Sequence, residues 1–487
     1  MAEKLVFTGR TYELTYLDRQ YAETGGTFCV VYGRRRVGKT RLLTHWLNSR
    51  EMPGFYWLAT DSSPAALLHS LSGAVYGQIH GELPADPGFT YYDWDALFRE
   101  IASLVTNSSR KITIILDEFT YAIDAYPDLP FKLQAAWDHQ LKDKPIMLVL
   151  SGSHVGMMED GILAPRSPLY GRATGLLKMT SLPFKDVRRL FPEYDVESCI
   201  ALYSVLGGVP YYLERIDRSL SIVDNITERI MSWSPLVQDE PRLLLHDHFS
   251  QPRNYLSIIS QVAKSVDSPK EMAQALGLEP ATVSHYLHTL VKLGLIQREV
   301  PATEREPEHS RRSRYTVADP YLRFYYRFLE PHLANIVRGA NKAVWKTIER
   351  HWRAFVGTHT FEELCREWVY AAAETDRLPF LPQRVGSHWS ATEQIDVMAV
   401  NWDEAVVLYG ECKWKKNSSL NEGEVKKLFQ QAEQINLTTR SGNPLTRQYV
   451  FFSRAGFTEP ARDLAQTRNA ILVDLNYLDE VLADVIR

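Results

Sequence analysis

The strongest chemistry in the sequence lies in eight residues, Gly33-Arg-Arg-Arg-Val-Gly-Lys-Thr40. This is the GxxxxGK[ST] pattern, and each fixed position has a physical reason. Glycines let the loop curl its backbone N–H groups around phosphates. Lys39 supplies a cation for the β- and γ-phosphates, and the Thr40 hydroxyl suits Mg²⁺. Arg34, Arg35, Arg36 and Val37 form the body of the loop, and Arg41 follows it. Such a loop works between a strand and a helix whose N-terminus adds partial positive charge. Thr27–Tyr32 reads as that strand and Arg41–Leu47 as that helix. ATP with Mg²⁺ is the expected ligand.

The loop needs an acidic pair at the end of a buried strand. Ile112-Thr-Ile-Ile-Leu-Asp117-Glu118 provides it, read as the next strand after the loop. Asp117 would hold the Mg²⁺ through water, and Glu118 would orient or deprotonate the attacking water. A third apolar run, Ile146–Leu150, ends in Ser151-Gly-Ser153-His. Ser153 either senses the γ-phosphate or closes an ordinary strand-to-loop turn.

A second constellation stands near the C-terminus. Gln394-Ile-Asp396-Val-Met398 alternates, so Asp396 faces away from Ile395 and Val397. Ala405–Tyr409 reads as an apolar strand that runs into Gly410-Glu411-Cys412-Lys413-Trp414. Glu411 and Lys413 share a face, and antiparallel pairing would set Asp396 beside Glu411. Two carboxylates and the Cys412 carbonyl make an oxygen site for Mg²⁺. Lys413 would then hold water and stabilise a pentavalent phosphate, which is the chemistry of phosphodiester hydrolysis. Spacing alone equally describes a charged pair at a strand end.

These groups must be positioned by several domains. The chain has 487 residues, 45% of them hydrophobic, enough for more than one core. Residues 1–180 alternate strand-length apolar runs with helical patterns, as a parallel α/β core does. Residues 181–249 read as a helical lid. In 250–317 the pattern is three helices and a hairpin, a winged helix. There Ser268-Pro-Lys-Glu271 reads as a capping box, Gly277 stops the second helix and Pro280 opens the third. The third helix offers Thr282, Ser284, His285, His288 and Lys292, and the wing offers Arg311, Arg312 and Arg314. These fit DNA, with the helix in a groove and the wing on phosphates, while packing against protein is the alternative. Residues 318–350 read as a helical connector and 351–487 as a further α/β domain.

Composition narrows the setting. With 55 basic and 59 acidic residues the formal charge is −4, so any DNA contact must be local. The four cysteines form no CxxC pair, which argues against disulfides and structural zinc and fits a reducing compartment. No charged-then-apolar leader and no long uncharged apolar stretch occurs, so a soluble, cytoplasmic chain with no membrane partner is expected.

Several motifs in order then carry a resemblance. They are Phe7-Thr-Gly9-Arg10-Thr-Tyr-Glu13-Leu14, the Gly33–Thr40 loop, Leu-Asp117-Glu118, Ser151-Gly-Ser153, Pro168-Leu-Tyr170-Gly-Arg172 and Gly207-Gly-Val-Pro210-Tyr-Tyr. Together they resemble the archaeal-type ATPase family, an AAA+/STAND-like P-loop group, over residues 1–350. The resemblance implies that Gly9 and Arg10 lie near the adenine. It also implies that nucleotide state changes conformation and that Arg172 senses the γ-phosphate or acts as a finger. Glu362, then Glu393-Gln-Ile-Asp396, then Gly410-Glu411-Cys-Lys413-Trp resembles the PD-(D/E)xK nuclease-like domain that commonly follows this family. That adds Glu362 to the expected metal ligands Asp396 and Glu411, although Ile395 replaces the Pro before the first Asp. The expected architecture is a P-loop parallel-sheet ATPase core, helical lid, winged helix and C-terminal restriction-endonuclease-like domain. An ATP-gated, DNA-associated ATPase with a metal-dependent nuclease is one functional reading. The other readings are a STAND-type switch whose C-terminal domain only binds, and a DNA-binding regulator without nuclease turnover. Expected partners are ATP, DNA through the winged helix and C-terminal domain, and further copies of the chain as a homo-oligomer.

Overall fold

The computed structural model describes residues 7–81, 86–232, 240–246, 249, 252–266, 268–415 and 418–484. Residues 1–6 of the expected core, 233–239 of the expected lid, 250 at the expected start of the winged helix and 485–487 lie outside them. The chain divides into two compact units, and each is described by itself. One comprises Phe7–Leu182 with the short segment Val209–Tyr211; the other holds Pro183–Gly208 and Tyr212 onward.

The first unit is built on five strands: β1 (Thr27–Tyr32), β2 (Gly54–Leu58), β3 (Ile112–Asp117), β4 (Ile146–Gly152) and β5 (Gly175–Lys178). They lie in the order β2-β3-β4-β1-β5, all parallel. β1, β3 and β4 are central and buried along their whole length, as continuous apolar runs in a helix-covered parallel sheet must be. Phe28, Val30, Ile114 and Leu148 face one core, while Cys29, Val31, Ile115 and Val149 face the other. β2 and β5 occupy the edges and alternate buried with exposed positions. The acidic-pair strand is therefore not the next strand after the loop, because β2 intervenes in the chain. Helix α1 (Thr11–Ala22) precedes β1, α2 (Lys39–Ser49) follows the phosphate loop and α3 (Phe119–Ala125) follows the acidic pair.

The second unit is helical from Phe184 to Ile230 where described. It continues through α4 (Arg253–Ala263), α5 (Pro269–Leu276) and α6 (Pro280–Lys292) into the antiparallel hairpin of β6 (Ile296–Glu299) and β7 (Arg314–Val317). Gly277 ends α5 in the left-handed region. The capping box is not formed, since the Ser268 side chain makes no cap hydrogen bond; Pro269 at the first helical position sets that start instead.

A helix, α7 (Glu362–Glu374), then leads to a second five-stranded sheet: β8 (Arg384–Trp389), β9 (Gln394–Asn401), β10 (Val406–Lys413), β11 (Thr446–Ser453) and β12 (Ile471–Val473). The order is β12-β11-β10-β9-β8. β8–β9–β10 pair antiparallel and β10–β11–β12 parallel. Helix α8 (Glu422–Gln434) packs Val425, Leu428, Phe429 and Ala432 into the core beneath β9, β10 and β11.

The hairpin loop does not project freely. Ala302 is fully buried within the core of this second sheet, and its N–H donates to the Ser387 carbonyl at 2.8 Å. Thr303 Oγ1 meets His388 Nδ1 at 3.0 Å, and Arg384 donates to the Glu304 carbonyl. The loop covers β8, which would otherwise present an open sheet edge.

Candidate functional site

The glycines of the phosphate loop are required by geometry. A Cβ on Gly33 would sit 2.2 Å from the Met179 carbonyl oxygen, and Gly38 has φ +94°. Inside the loop Lys39 is 4% exposed. Its Nζ donates to the carbonyls of Gly33 at 2.8 Å and Arg34 at 3.1 Å. Thr40 Oγ1 donates to Asp117 Oδ2 at 2.6 Å, and the Tyr56 hydroxyl donates to the same oxygen at 2.8 Å. Burial and the Asp117 charge push the Tyr56 phenol up, so it remains a donor. The Glu118 N–H donates to Asp117 Oδ1 at 2.9 Å, so both oxygens of this fully buried carboxylate accept hydrogen bonds.

Glu118 has left-handed backbone, φ +49°. Its carboxylate accepts from the Ser153 N–H at 3.0 Å and from Ser153 Oγ at 2.5 Å. The tip of β4 is thus wired to the acidic pair. Arg10 is 6% exposed and also left-handed, directly after Gly9 with φ +73°. Its guanidinium donates to the Val37 carbonyl at 2.8 Å, the Thr180 carbonyl at 2.7 Å and Glu13 at 2.7 Å. Arg10 ties the loop to the segment after β5. Arg35 donates to the Tyr121 hydroxyl, and Arg36 lies over the Tyr211 ring at 4.1 Å. Arg34 and Arg41 are partly buried beside them. Arg172 is bidentate to Asp138, Nε donating to Oδ1 at 3.2 Å and Nη2 to Oδ2 at 2.8 Å, an ion pair outside this cluster of bonds. Tyr121 and the role of Tyr211, which stood only as part of a motif, were not legible in the sequence, and neither was Tyr56. An aromatic in an apolar strand gives no signal that its hydroxyl faces a carboxylate.

In the second unit the antiparallel register of β10 with β9 runs as far as Gly410 opposite Val397, and the pairing of β9 with β8 shifts beside Asp396, between Gly386–Met398 and His388–Ile395. The Cys412 N–H donates to Asp396 Oδ2 at 3.0 Å, and Lys413 Nζ is ion-paired with Glu411. Glu411 is 5% exposed. Burial and then Asp396 raise its carboxyl above the usual range. Burial likewise raises Asp396, against the Cys412 N–H and Lys413. Glu362, at the start of α7, is pushed up to about 9 by burial and by Asp396, despite Arg366 at 3.5 Å. Among the described residues no three His, Cys, Asp or Glu side chains form a group able to hold a metal ion. What this face offers is a carboxylate pair with a lysine, and Glu362 close enough to feel both charges.

On α6, Ser284, His285, His288 and Lys292 are exposed and Thr282 is half-buried, while Val283, Leu287 and Leu290 face inward. Among the described residues no helix is long and apolar enough to cross a membrane.

A parallel sheet with a glycine loop between β1 and α2, and a carboxylate ending β3 beside Thr40, defines the P-loop ATPase class. Residues 7–216 match the ATPase domain predominantly from Archaea. Residues 255–300 match the IclR helix-turn-helix domain, and 325–428 match archaeal and bacterial proteins of unknown function. An uncharacterised protein of Methanocaldococcus jannaschii is 29% identical over 424 residues, 87% of this chain and 90% of that protein. An uncharacterised ATP-binding protein of the same organism is 38% identical over 48 residues, 10% of this chain and 81% of its own. Among solved structures, the Walker-type ATPase of Pyrococcus abyssi shares the fold with a TM-score of 0.51. It is 19% identical and covers 66% of this chain and 96% of that one. The chain therefore carries an archaeal-type P-loop ATPase domain, followed by a helix-turn-helix region.

Proposed function

We propose that the protein is an ATP- and Mg²⁺-dependent ATPase that acts on DNA and carries a metal-dependent phosphodiesterase centre in its C-terminal sheet. The bond from Thr40 to Asp117 carries the first part. It sets a hydroxyl and a carboxylate together at the loop, the hard oxygen donors that Mg²⁺ takes. Bound Mg²⁺ would neutralise phosphate charge. Lys39 would exchange two loop carbonyls for the β- and γ-phosphates. Glu118 would take the proton of the attacking water once Ser153 releases its carboxylate. Arg10 acts as a positioning residue for the loop, and Arg172, held by Asp138, is the candidate finger.

Phosphodiester chemistry is supported by Asp396, which accepts from the Cys412 N–H, and by Glu411 next to it, which pairs with Lys413. A divalent cation there would be held by these two carboxylates, the Cys412 carbonyl and water, with Glu362 in reserve. The exposed polar face of α6 and the arginines of the β6–β7 loop supply the DNA contacts.

Titration of a fluorescent ATP analogue tests the first centre. Lys39→Ala abolishes binding, whereas Glu118→Gln binds and does not turn over. Unchanged binding by the Lys39 variant would remove the site. Plasmid with Mg²⁺ or Mn²⁺ tests the second. Asp396→Ala stops nicking and leaves ATP hydrolysis intact, and a parent that never nicks reduces the sheet to a binding module. The docking of the β6–β7 loop on β8 favours the other reading, a STAND-type switch in which the winged helix packs against protein and the C-terminal domain only binds.

A further inference from the structure

The β6–β7 loop and the C-terminal sheet together border a feature that neither motif accounts for. Arg311, Arg312, Ser313 and Arg314 form one wall of an open cavity of about 450 Å³, and Trp389, Ser390 and Ala391 form the other. The first wall belongs to the winged helix, and the second is the turn from β8 into β9. We infer that this cavity is a composite phosphate subsite for the backbone of duplex DNA, with the C-terminal turn as a required wall.

Three observations carry the inference. The walls are fixed to each other: Arg312 donates to the Trp389 carbonyl and pairs with Glu304 at 3.3 Å, and Arg314 lies 4.6 Å over the Trp389 ring. Burial of Ala302 and the bond from its N–H to Ser387 hold the rest of the loop against β8. The rim is cationic in a chain whose net charge is −4, and Arg311 and Arg312 are exposed. Local positive charge on a near-neutral molecule is what a phosphodiester backbone selects. Finally, the cavity lies where β9 begins. Trp389 pairs with Gln394, and Asp396 follows two residues on, roughly 7 Å along the strand. A strand seated by one phosphate here runs close to the carboxylate pair.

The inference rests on the DNA-binding reading, and the test separates the two. Affinity for a short labelled duplex is measured across a salt series for the full chain and three variants. Arg312→Ala removes charge from the first wall. Ala391→Glu places a carboxylate on the second wall, and Ala391→Gln is its neutral match. Melting temperatures verify that all are folded. We expect Ala391→Glu to weaken binding about tenfold or more and to flatten the salt slope by about one unit, as loss of a phosphate contact does. Arg312→Ala should do the same, and Ala391→Gln should bind like the parent. Equal binding by Ala391→Glu and Ala391→Gln overturns the composite subsite while DNA binding stands. A parent that binds no duplex at any salt overturns both.

Discussion

Arg10 shows how much of a nucleotide site is built from residues that need not touch nucleotide. Its guanidinium is buried and satisfied by two carbonyls and Glu13. Truncation to Ala strands those carbonyls, at about 1–3 kcal/mol for buried groups left unpaired. Arg10→Ala should therefore lower both melting temperature and affinity for ATP analogues, and Arg10→Lys should recover only part, lacking the fork. An unaltered analogue affinity in Arg10→Ala would show that the loop holds itself. His359 is pushed down to about 3 by burial and by Arg323, Arg327 and Arg366. In the unfolded chain it titrates near 6.5, so acid favours unfolding. Its neutral form is stabilising above about 6.5, and that contribution is lost as pH falls from about 6.5 towards 3, at up to about 1.4 kcal/mol per unit. His359→Gln should flatten this limb in urea titrations at several pH values. Parallel curves for parent and variant would place the acid sensitivity elsewhere.

At the scale of elements, β10 has no room to spare. A Cβ on Gly410 would come within 2.9 Å of both Val397 Cβ and Val450 Cγ1. Gly410→Ala should cost about 1–3 kcal/mol by overpacking and displace Glu411 next to it. Chemical denaturation reads the first effect, and a variant as stable as the parent would mean the sheet yields there. Elements also explain what was legible in sequence. β1, β3 and β4 are buried on both faces and stand out as unbroken apolar runs; β2 and β5 are edges whose alternation over four or five residues is ambiguous. Arg384-Val-Gly-Ser-His-Trp389 reads as polar, yet forms β8 because the β6–β7 loop covers it. The nearness of Asp396 to β10 followed from pairing neighbouring strands, although β9 shifts register beside it. Glu118 bound to Ser153 and Arg172 bound to Asp138 did not, because such pairings join segments far apart in sequence.

At the scale of the molecule, the winged helix and the C-terminal sheet lie within one compact unit. Ala302 is the peg that joins them. Ala302→Asp buries an unpaired carboxylate in that core, so melting of this unit should fall by several degrees, the range that about 1–3 kcal/mol produces. Unchanged melting would mean the loop swings free in solution. The first unit has its own long-range dependence. After Leu182 the chain leaves it and returns only for Val209–Tyr211. Those three residues put Tyr211 under Arg36 and Pro210 3.6 Å from where a Gly38 Cβ would sit. The consequence is for how this gene can be cut and recombined. A fragment ending at Leu182 would keep every strand of the sheet and every lettered position of the GxxxxGK[ST] pattern, and still lack part of its phosphate loop's support. Transplanting the ATPase between proteins thus requires splicing downstream of Tyr211, with the intervening helices carried along as obligatory cargo.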